Sequence, residues 1–585
     1  MKIMKEMKRM SAMLLLLCIT SSLLAQNASV QRELTLEKEY APSVQDASKI
    51  NSLPEVKEPE PAKATIEYID FSTPYDVKLS IFQLQPGNYF TNLQSSGKRG
   101  YLNVGAGTFI NLNADAGYQI LNQPEDKLSV FYSNRFSNVN VKYLQFDTKG
   151  NKMKINDNVG GLSYQHNFNS CKLYADTRYT YSAFNYYGIG EDKSFSTDGR
   201  PNQANNIAEV RAGLASRNEK EWHYLFDLNY SNFQQKHVVT SNNDGFKENY
   251  FKAKMDIGKE FNGNQLMGLG GYIRTTSNTL NLIGTVSLKN YINVALNPYY
   301  RIDDGEWSLK LGAWTYLLFN HKVHEWNEYR NKIAFSPDVE FIIRPVEKVA
   351  LYLQATGEIK DNSMKPVFYE NRYAILPMRV ADSHTMLDAV AGFKSSVIPN
   401  CWFDIFAGYR MTKDEHFYFP MFFVNEFGLV PDNSFLVVNA ISPIYTNAKV
   451  FKAGAILKYQ VGNQFEAGLK AVYYHYDLER YKSNDDLDNF VDAWNKPQFE
   501  ADFQLGYTFP FPFRIDMAYH LENGRKQPGG LMKDINELNL QGTYSTSDSF
   551  SFYIKANNLL FQKYDLWYGY PAQGFNAMLG VNIKF

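Results

Sequence analysis

Apolar and polar residues alternate one by one over stretches of about ten residues, and this period of two restricts the fold more than any other feature. A second copy of the pattern occupies residues 222–231, and further copies follow towards the C-terminus. Because a helix repeats every 3.6 residues, this alternation predicts β-strands with one apolar and one polar face. The first clear stretch has an unbroken apolar row: Ile110, Leu112, Ala114, Ala116, Tyr118 and Ile120.

The connections between these strands alternate in length. Short turns rich in Asn, Asp, Pro and Gly occur, for example, at residues 122–125 and 462–463, and a longer connection lies between successive turns, as at residues 186–203, 361–383 and 413–447. Strands of stacked β-sandwiches also alternate, but their connections have no reason to do so. Short turns at one rim and long loops at the other are typical of barrels with periplasmic turns and extracellular loops.

The segments between residues 100 and 585 number about 22, so we predict an all-β fold, a large antiparallel transmembrane β-barrel. Closure is required because hydrocarbon offers no hydrogen-bond partner to an open sheet edge. With its polar face inside, such a barrel needs only a modest share of apolar residues, and 44% of this chain is hydrophobic. The 41 Tyr and 41 Phe fit aromatic girdles at the membrane interfaces, although strands favour aromatics in any case.

Charge and hydropathy exclude other classes of protein. The chain has 60 Lys plus Arg against 61 Asp plus Glu, so it has no basic footprint for nucleic acid. A net charge of only −1 also argues against intrinsic disorder. After residue 25 no apolar run approaches the roughly 18 residues of a transmembrane helix, which excludes a polytopic helical protein.

The N-terminal residues indicate export. Residues 1–25 are predicted to be a signal peptide, because a Lys- and Arg-containing start precedes the short apolar run at residues 13–24. Residues 26–99 are predicted to form a periplasmic segment and a Pro-rich linker, and residues 100–585 the barrel. The remaining thiols, Cys171 and Cys401, are predicted to be free because the barrel places them on opposite sides.

The last strand ends on an aromatic residue. Its outer row includes Val581, Ile583 and the terminal Phe585. This resembles the C-terminal signature of outer-membrane barrels, and the resemblance implies recognition by the barrel assembly machinery. Val581, Ile583 and Phe585 are therefore the candidate assembly signal.

The preceding segment carries a family resemblance. Asn558-Leu559 is followed by Lys563-Tyr564 and then by Pro571 in a Tyr-Pro loop. This order resembles the C-terminal end of TonB-dependent receptor barrels, which implies 22 strands. The Pro-Gly-Arg of that family's loop is absent here, and residues 26–99 are too few for its plug domain. The chain therefore resembles a relative of these receptors, of the Bacteroidetes type, that lacks a full plug.

Motifs for enzyme chemistry are not found. The sequence contains no Gly-x-Ser-x-Gly, His-Glu-x-x-His or phosphate-cradling loop, so no catalytic residue, cofactor or resident metal is predicted. His321, His324 and Glu325 are spaced for a transition metal, but a solvated polar loop is the favoured interpretation. Acidic and basic residues share the predicted lumen face, and this mixture of signs predicts ion pairs between them. The predicted lumen-facing residues are Asp115, Asp176, Arg178, Asp227, Lys310, Asp404, Arg410, Glu466, Lys470, Arg514 and Asp516.

Two functions remain open. The favoured one is an outer-membrane barrel of the receptor type that takes up or passes a solute. The alternative is a structural or docking barrel in an outer-membrane complex without transport. The expected partners are outer-membrane lipid and the barrel assembly machinery, and a periplasmic or surface lipoprotein is a further candidate. An open or movably blocked lumen favours transport, whereas a permanently filled lumen favours docking.

Overall fold

A computed structural model describes residues 98–144, 149–188, 203–217, 222–238, 241–279, 290–323, 328–374, 382–422, 439–479 and 492–585. These residues form one 22-stranded antiparallel sheet that closes on itself, because the last strand pairs with the first. The predicted fold class and strand number are therefore confirmed. The predicted signal peptide and almost all of the segment 26–99 lie outside the described residues and stay predictions.

The strands follow one another around the ring in chain order. They are β1 (Gly100–Gly107), β2 (Asn111–Asn122), β3 (Asp126–Lys142), β4 (Lys149–Asn167), β5 (Cys171–Phe184), β6 (Gln203–Ser216), β7 (Trp222–Gln235), β8 (Lys247–Phe261), β9 (Gln265–Thr279), β10 (Tyr291–Asp303), β11 (Trp307–Val323), β12 (Glu328–Val346), β13 (Val349–Lys360), β14 (Ser383–Ser395), β15 (Cys401–Phe422), β16 (Asn439–Val461), β17 (Phe465–Leu478), β18 (Phe499–Thr508), β19 (Phe513–Asn523), β20 (Ile535–Ser547), β21 (Phe550–Asn557) and β22 (Asn576–Lys584). A short helix, α1 (Met364–Glu370), lies between β13 and β14. In the described parts of the loops, small two-stranded hairpins pair His237–Val238 with Ser241–Asp244, Lys526–Gln527 with Gly530–Leu531, and Asp565–Trp567 with Tyr570–Pro571.

The two ends of the barrel differ as the sequence predicts. Turns that follow even-numbered strands are short and define the short-turn end. Their length ranges from that of residues 347–348 to that of residues 396–400. Connections at the opposite, long-loop end reach residues 361–382, although the hairpin between β1 and β2 has only residues 108–110. The loop expected at residues 413–447 is shorter, because β15 and β16 pair as far as Phe422 and Asn439. In this part of β15 consecutive residues, Glu415 to Tyr418, are all buried, so the exposed and buried faces do not alternate there.

The outer face of the wall is apolar. On β7, Phe226, Leu228 and Tyr230 are exposed, whereas Asp227 between them points inward and is paired. Such a continuous apolar exterior suits hydrocarbon, and the closed ring leaves no unpaired sheet edge. Among the described residues no helix has the length and hydropathy needed to cross a bilayer.

A belt of tyrosines lies flat on the inner wall near the short-turn end. Each ring covers a glycine on the next strand, where a Cβ atom would overlap the ring. The aligned pairs are Tyr174 with Gly213, Tyr299 with Gly268, Tyr352 with Gly392 and Tyr553 with Gly580. These strand glycines are needed for the close approach of a ring to the backbone, since an added side chain would lift the ring into the lumen.

Three of these tyrosines also have an aspartate at the hydroxyl and a cation on the free face. Tyr352 donates to Asp404 Oδ1 at 2.9 Å, and Lys394 Nζ lies 4.4 Å from its ring centroid. The same arrangement recurs at Tyr174 with Asp227 and Arg211, and at Tyr299 with Asp256 and Lys310. Charges on this part of the wall therefore compensate one another, as the mixture of signs in the sequence predicts.

Replacing Gly392 with alanine is expected to lift the Tyr352 ring and to break its hydrogen bond to Asp404. Overpacking of this kind costs about 1–3 kcal/mol. The measurement is the temperature at which the folded band disappears in heat-modifiability gels. Gly574→Ala is the matched control, because nothing lies within 4 Å of a Cβ there. Equal shifts for the two variants would contradict a special role for the glycine beneath Tyr352.

Candidate functional site

A segment between β13 and β14, residues 361–374, forms a compact turn and helix that we call the crossing segment. The carboxylate of Asp361 accepts hydrogen bonds from the backbone N–H and the hydroxyl of Ser363, both at 3.0 Å. Pro366 lies in the first turn of α1, where a missing N–H costs no helical hydrogen bond. The N–H of Asn371 bonds to Val367 O at 2.8 Å and ends the helix. Hydrogen bonds within the segment and the position of Pro366 thus stabilise its conformation.

The stem of this loop is fastened to the inner wall. Arg274 on β9 binds both Asp361, at 3.5 Å, and Asp382. Tyr291 on β10 donates to Asp361 at 3.0 Å. Burial raises the pKa of Asp382, although the neighbouring positive charge of Arg274 acts to lower that pKa. These contacts turn the described residues 361–374 inward at the long-loop end, and Ser383, where β14 begins, is fully buried.

The crossing segment touches opposite walls of the barrel. Arg372 Nη2 lies 2.9 Å from Asp157 Oδ2 on β4, and Glu370 Oε2 lies 2.6 Å from His416 Nε2 on β15. The strands β4 and β15 are eleven positions apart in a ring of 22. Glu370 and Arg372, which are only two positions apart in the chain, therefore reach opposite sides of the lumen. At this level the lumen is narrower than the roughly 45 Å of a circular ring of 22 strands tilted at about 40°.

Further ion pairs hold this segment in place. Lys365 Nζ lies 2.7 Å from Glu209 on β6, and Lys496 Nζ lies 2.9 Å from Glu370 Oε1. Burial alone would raise the pKa of Glu370, but the neighbouring His416 and Lys496 outweigh it and hold that pKa well below its usual range. Glu370 is thus a charged anchor. Separating a carboxylate from several buried partners costs a large free energy, because the buried charge is left uncompensated.

Apolar side chains fill the space around α1. The Phe368 ring lies 6.3 Å from that of Phe184 and 5.9 Å from that of Phe233, centroid to centroid. Met364 and Val367 belong to the same buried cluster. Helix and wall therefore form a small hydrophobic core inside the lumen at its long-loop end.

A second segment, residues 558–575, comes from the connection between β21 and β22 and contains the receptor-like motif. Asn558 Nδ2 donates to Gln562 O at 2.8 Å, and Asn558 Oδ1 accepts from Gln562 N at 2.9 Å. Leu559 N donates to Leu538 O at 2.8 Å, and Lys563 is exposed. We call residues 558–575 the C-terminal loop. Asn558 and Leu559 begin it by holding a tight turn against β20.

The other motif residues point inward. Tyr564 is buried and donates its hydroxyl proton to Glu537 on β20. Pro571 is buried, and its carbonyl accepts from the hydroxyl of Tyr187 at 3.0 Å. The sequence resemblance marked these residues as a family signature. The structure shows them as the part of the C-terminal loop that enters the lumen.

The two segments meet inside the lumen at its long-loop end. The ring of Tyr570 stacks on that of Tyr373 at 4.2 Å, with 19° between their planes. Tyr187 packs edge-on against both rings. Trp567 packs edge-on against Tyr418 on β15 at 5.1 Å. We call the joined crossing segment and C-terminal loop the gate; their described residues lie inside the barrel at its long-loop end.

One buried arginine fastens the C-terminal loop to its neighbours. Arg525 donates to the carbonyls of Asp565, Leu566 and Lys533 at 3.0, 3.2 and 3.2 Å. Its Nε lies 3.3 Å from the carboxylate of Glu522. Burial raises the pKa of Asp565 to about 6, although the hydrogen bond from the N–H of Gly569 and the positive charge of Arg525 act to lower it. Arg525 was not predicted from the sequence, because one arginine beside a Gly-Pro-rich loop gives no local indication of burial.

Below the gate, the predicted lumen residues are paired with one another or with partners the sequence did not reveal. Arg514 binds Glu466 and Asp516, and Arg410 lies 3.4 Å from Glu415. Asp115 and Asp176 accept from serine hydroxyls, and Arg178 lies over the Phe131 ring. The missed partners are Arg211 for Asp227, Asp338 for Lys310 and Glu500 for Lys470. Knowledge of strand register would have identified them.

The cysteines and the histidine pair were also singled out from the sequence. Cys171 and Cys401 are free thiols at the starts of β5 and β15, as predicted. His324 and Glu325 lie outside the described residues, and nothing is described of the His321 side chain. Within the described part of the chain, no cluster of His, Cys, Asp and Glu suits a metal ion.

The C-terminal residue seals the ring. Phe585 N donates to Gly100 O at 2.9 Å, and Gly100 N donates to Phe585 O at 2.7 Å. Val581 pairs with Val104, and Ile583 with Leu102, on the outward face. The Phe585 ring covers Gly100 and stays largely exposed. The candidate assembly signal therefore lies on the seam between the last and the first strand.

Deleting Phe585 is expected to lower the amount of folded barrel more than its stability. The exposed ring contributes only a fraction of the roughly 1.5–3 kcal/mol of a fully buried large side chain. Before closure, however, the same edge is free to pair with an added strand of an assembly factor. Membrane levels and melting in detergent separate the two effects, with Phe585→Tyr as the control. Unchanged levels, or a much lower melting temperature, would contradict the assembly role.

Comparison with known proteins identifies the fold. No protein-family model matches the chain, and no curated protein matches its sequence. The FrpB iron transporter from Neisseria meningitidis (F3-3 variant) matches with a TM-score of 0.62 and 12% identity, over 83% of this chain and 81% of that chain. A mutant of the ferric enterobactin receptor PfeA from Pseudomonas aeruginosa matches with a TM-score of 0.60 and 10% identity, over 83% and 80%. FpvAI, in complex with pyocin S2, matches with a TM-score of 0.58 and 11% identity, over 83% and 73%.

These structures are TonB-dependent receptors with 22-stranded barrels. The predicted resemblance to that class is confirmed at the level of the fold. The apolar exterior and the closed ring are those of a bacterial outer-membrane barrel, in agreement with the predicted location. The described residues contain no plug domain.

Proposed function

We propose that this chain is an outer-membrane uptake barrel that passes a solute through its lumen when the gate opens. The observation that carries the proposal is that, among the described residues, loops and not wall strands fill the long-loop end of the lumen. Loop contacts can be released without breaking the ring of strand hydrogen bonds. The outside is then the long-loop end, since a chain delivered from the periplasm leaves its short turns there.

Space below the gate supports this proposal. The side chain of Lys470, which points into the lumen from β17, is 47% exposed although it pairs with Glu500 at 3.2 Å. The fold neighbours are an iron transporter and a ferric enterobactin receptor by name. The proposal assigns the chain no catalytic reaction, and it leaves the class of solute to experiment.

A disulfide lock tests whether passage needs the gate to move. Ala374, at the end of the crossing segment, forms a parallel bridge with Ile441 on β16, so paired cysteines there are within disulfide range. The variant is Ala374→Cys with Ile441→Cys in a chain that also carries Cys171→Ala and Cys401→Ala. A strain lacking the native gene is complemented and grown on media each limiting for one nutrient class.

We expect one medium on which the complemented strain grows and the null strain does not. On that medium the oxidised lock should abolish growth, and a reductant should restore it. Each single-cysteine variant is the control and should grow normally in both conditions. Growth that is unaffected by the oxidised lock would contradict gated passage.

The docking alternative has its own supporting observation, which is the tight aromatic packing of Tyr187, Tyr373 and Tyr570 in the gate. A permanently closed barrel predicts no nutrient phenotype. It predicts instead that a partner, such as the candidate lipoprotein, copurifies with the wild-type chain and is lost when loops are altered. The expected use of the barrel assembly machinery applies to both functions.

A further inference from the structure

The rim of the long-loop end is low on one side of the barrel. The strands β21, β22 and β1 have 8, 9 and 8 residues, whereas β15 and β16 have 22 and 23. Eight residues of a strand tilted at 35–45° rise about 20 Å, which is less than the roughly 25 Å of the apolar band on an outer-membrane barrel. The hairpin between β1 and β2 therefore ends within or at the edge of the hydrocarbon layer.

The tip of this hairpin carries apolar residues at unfavourable backbone angles. Phe109 and Ile110 are 55% and 58% exposed, and both have φ of 59°. Glycine or asparagine usually occupies such positions, and a β-branched residue there is an outlier. Two large apolar side chains at a strained, exposed tip are unfavourable in water.

The start of the C-terminal loop extends the same surface. Phe561 is 68% exposed, and its ring stacks on Phe575 at 4.9 Å. Thr108 N donates to Ala577 O at 2.9 Å, and Ala577 N donates to Thr108 Oγ1 at 3.2 Å, so the hairpin and the end of the loop are joined. We call this surface the apolar rim: Phe109, Ile110, Leu560, Phe561 and Phe575.

Charge is absent from the surrounding sequence. Residues 100–114, 556–562 and 572–583 contain no Asp, Glu, Lys or Arg. Below the rim, the outward residues Val104, Leu112 and Leu579 are exposed and continue the lipid-facing wall. The apolar rim is thus an extension of the surface that already faces hydrocarbon.

We propose that the apolar rim is immersed in the acyl chains of the outer leaflet and anchors the gate to the membrane. Only two residues separate Phe561, at the membrane side of the C-terminal loop, from Tyr564, whose hydroxyl binds Glu537 inside the lumen. One loop therefore contacts lipid at one end and closes the lumen at the other. The lipid contact follows from the wall itself and stands whether or not the barrel transports a solute.

Depth measurement with spin labels tests this proposal in the full chain. Nitroxides are attached to Phe109→Cys, Leu560→Cys or Phe561→Cys in the background Cys171→Ala, Cys401→Ala, and the barrels are placed in phospholipid nanodiscs. Collision rates with oxygen, which is enriched in hydrocarbon, are compared with those of the water-soluble complex NiEDDA. Leu228→Cys is the lipid-facing control, and Lys142→Cys, exposed at the end of β3, is the aqueous control.

We expect all three rim labels to favour oxygen over NiEDDA as the Leu228→Cys label does. Use of three sites guards against one substitution disturbing the loop. Rim labels that behave as the Lys142→Cys label does would overturn the proposal. Labels shielded from both reagents in native outer membranes, but not in nanodiscs, would also overturn it, because a protein partner would then cover the rim.

Discussion

Replacing residues 362–373 with a short Gly-Ser linker is expected to open the long-loop end of the barrel. The ion pairs of Lys365, Glu370 and Arg372 and the packing of Phe368 are lost together. A lumen cysteine at Lys470→Cys should then react with a membrane-impermeant maleimide in intact cells about tenfold faster or more, since a ring of this size without its filling is wide enough for small solutes.

Two reference variants make this result decisive. Lys142→Cys reports the labelling rate of an open extracellular site and should not change on loop replacement. Lys470→Cys with the intact gate sets the closed rate. The barrel itself should persist, because no strand hydrogen bond is removed, and heat-modifiability gels check this. Labelling of Lys470→Cys at equal rates with and without residues 362–373 would show that the crossing segment is not what closes the lumen.

Replacing Arg525 with methionine is expected to loosen the C-terminal loop without disturbing the wall. The substitution leaves the carbonyls of Lys533, Asp565 and Leu566 without a donor and removes the cation beside buried Glu522. Breaking one partner of a buried charged group costs about 3–5 kcal/mol. Because each 1.4 kcal/mol is a factor of ten, amide hydrogen exchange in residues 564–571 should accelerate roughly 10²- to 4 × 10³-fold.

The matched control is Arg301→Met. Arg301 is more than half exposed and lies 3.9 Å from Asp303, an arrangement worth at most about 1 kcal/mol. Exchange in the C-terminal loop should therefore be unchanged by this second substitution. If Arg525→Met left exchange in residues 564–571 unchanged, Arg525 would not be the residue that holds the loop, and the aromatic contacts of Tyr570 would have to suffice.

The C-terminal motif shows how far sequence interpretation reached into the site. Asn558, Leu559, Tyr564 and Pro571 were identified through a family resemblance, which said nothing of their position in the lumen. The structure gives them a physical role in starting the C-terminal loop and in holding it inside. By contrast, residues 361–383 were predicted to be an extracellular loop only because they are a long connection after an odd-numbered strand, and nothing in their sequence indicated that residues 361–374 fold into the lumen.

Alternation, turn lengths and the terminal aromatic residue determined the barrel, its strand number and the free state of Cys171 and Cys401. These properties depend on residues close in the chain, so the sequence displays them directly. Tertiary structure alone decided the gate, because Arg372 meets Asp157, and Tyr373 meets Tyr570, across long sequence separations. The sequence around an Arg or a Glu in a loop is the same whether water or a buried partner satisfies its charge. The desolvation cost that distinguishes the two cases depends on which strands the closed ring places opposite.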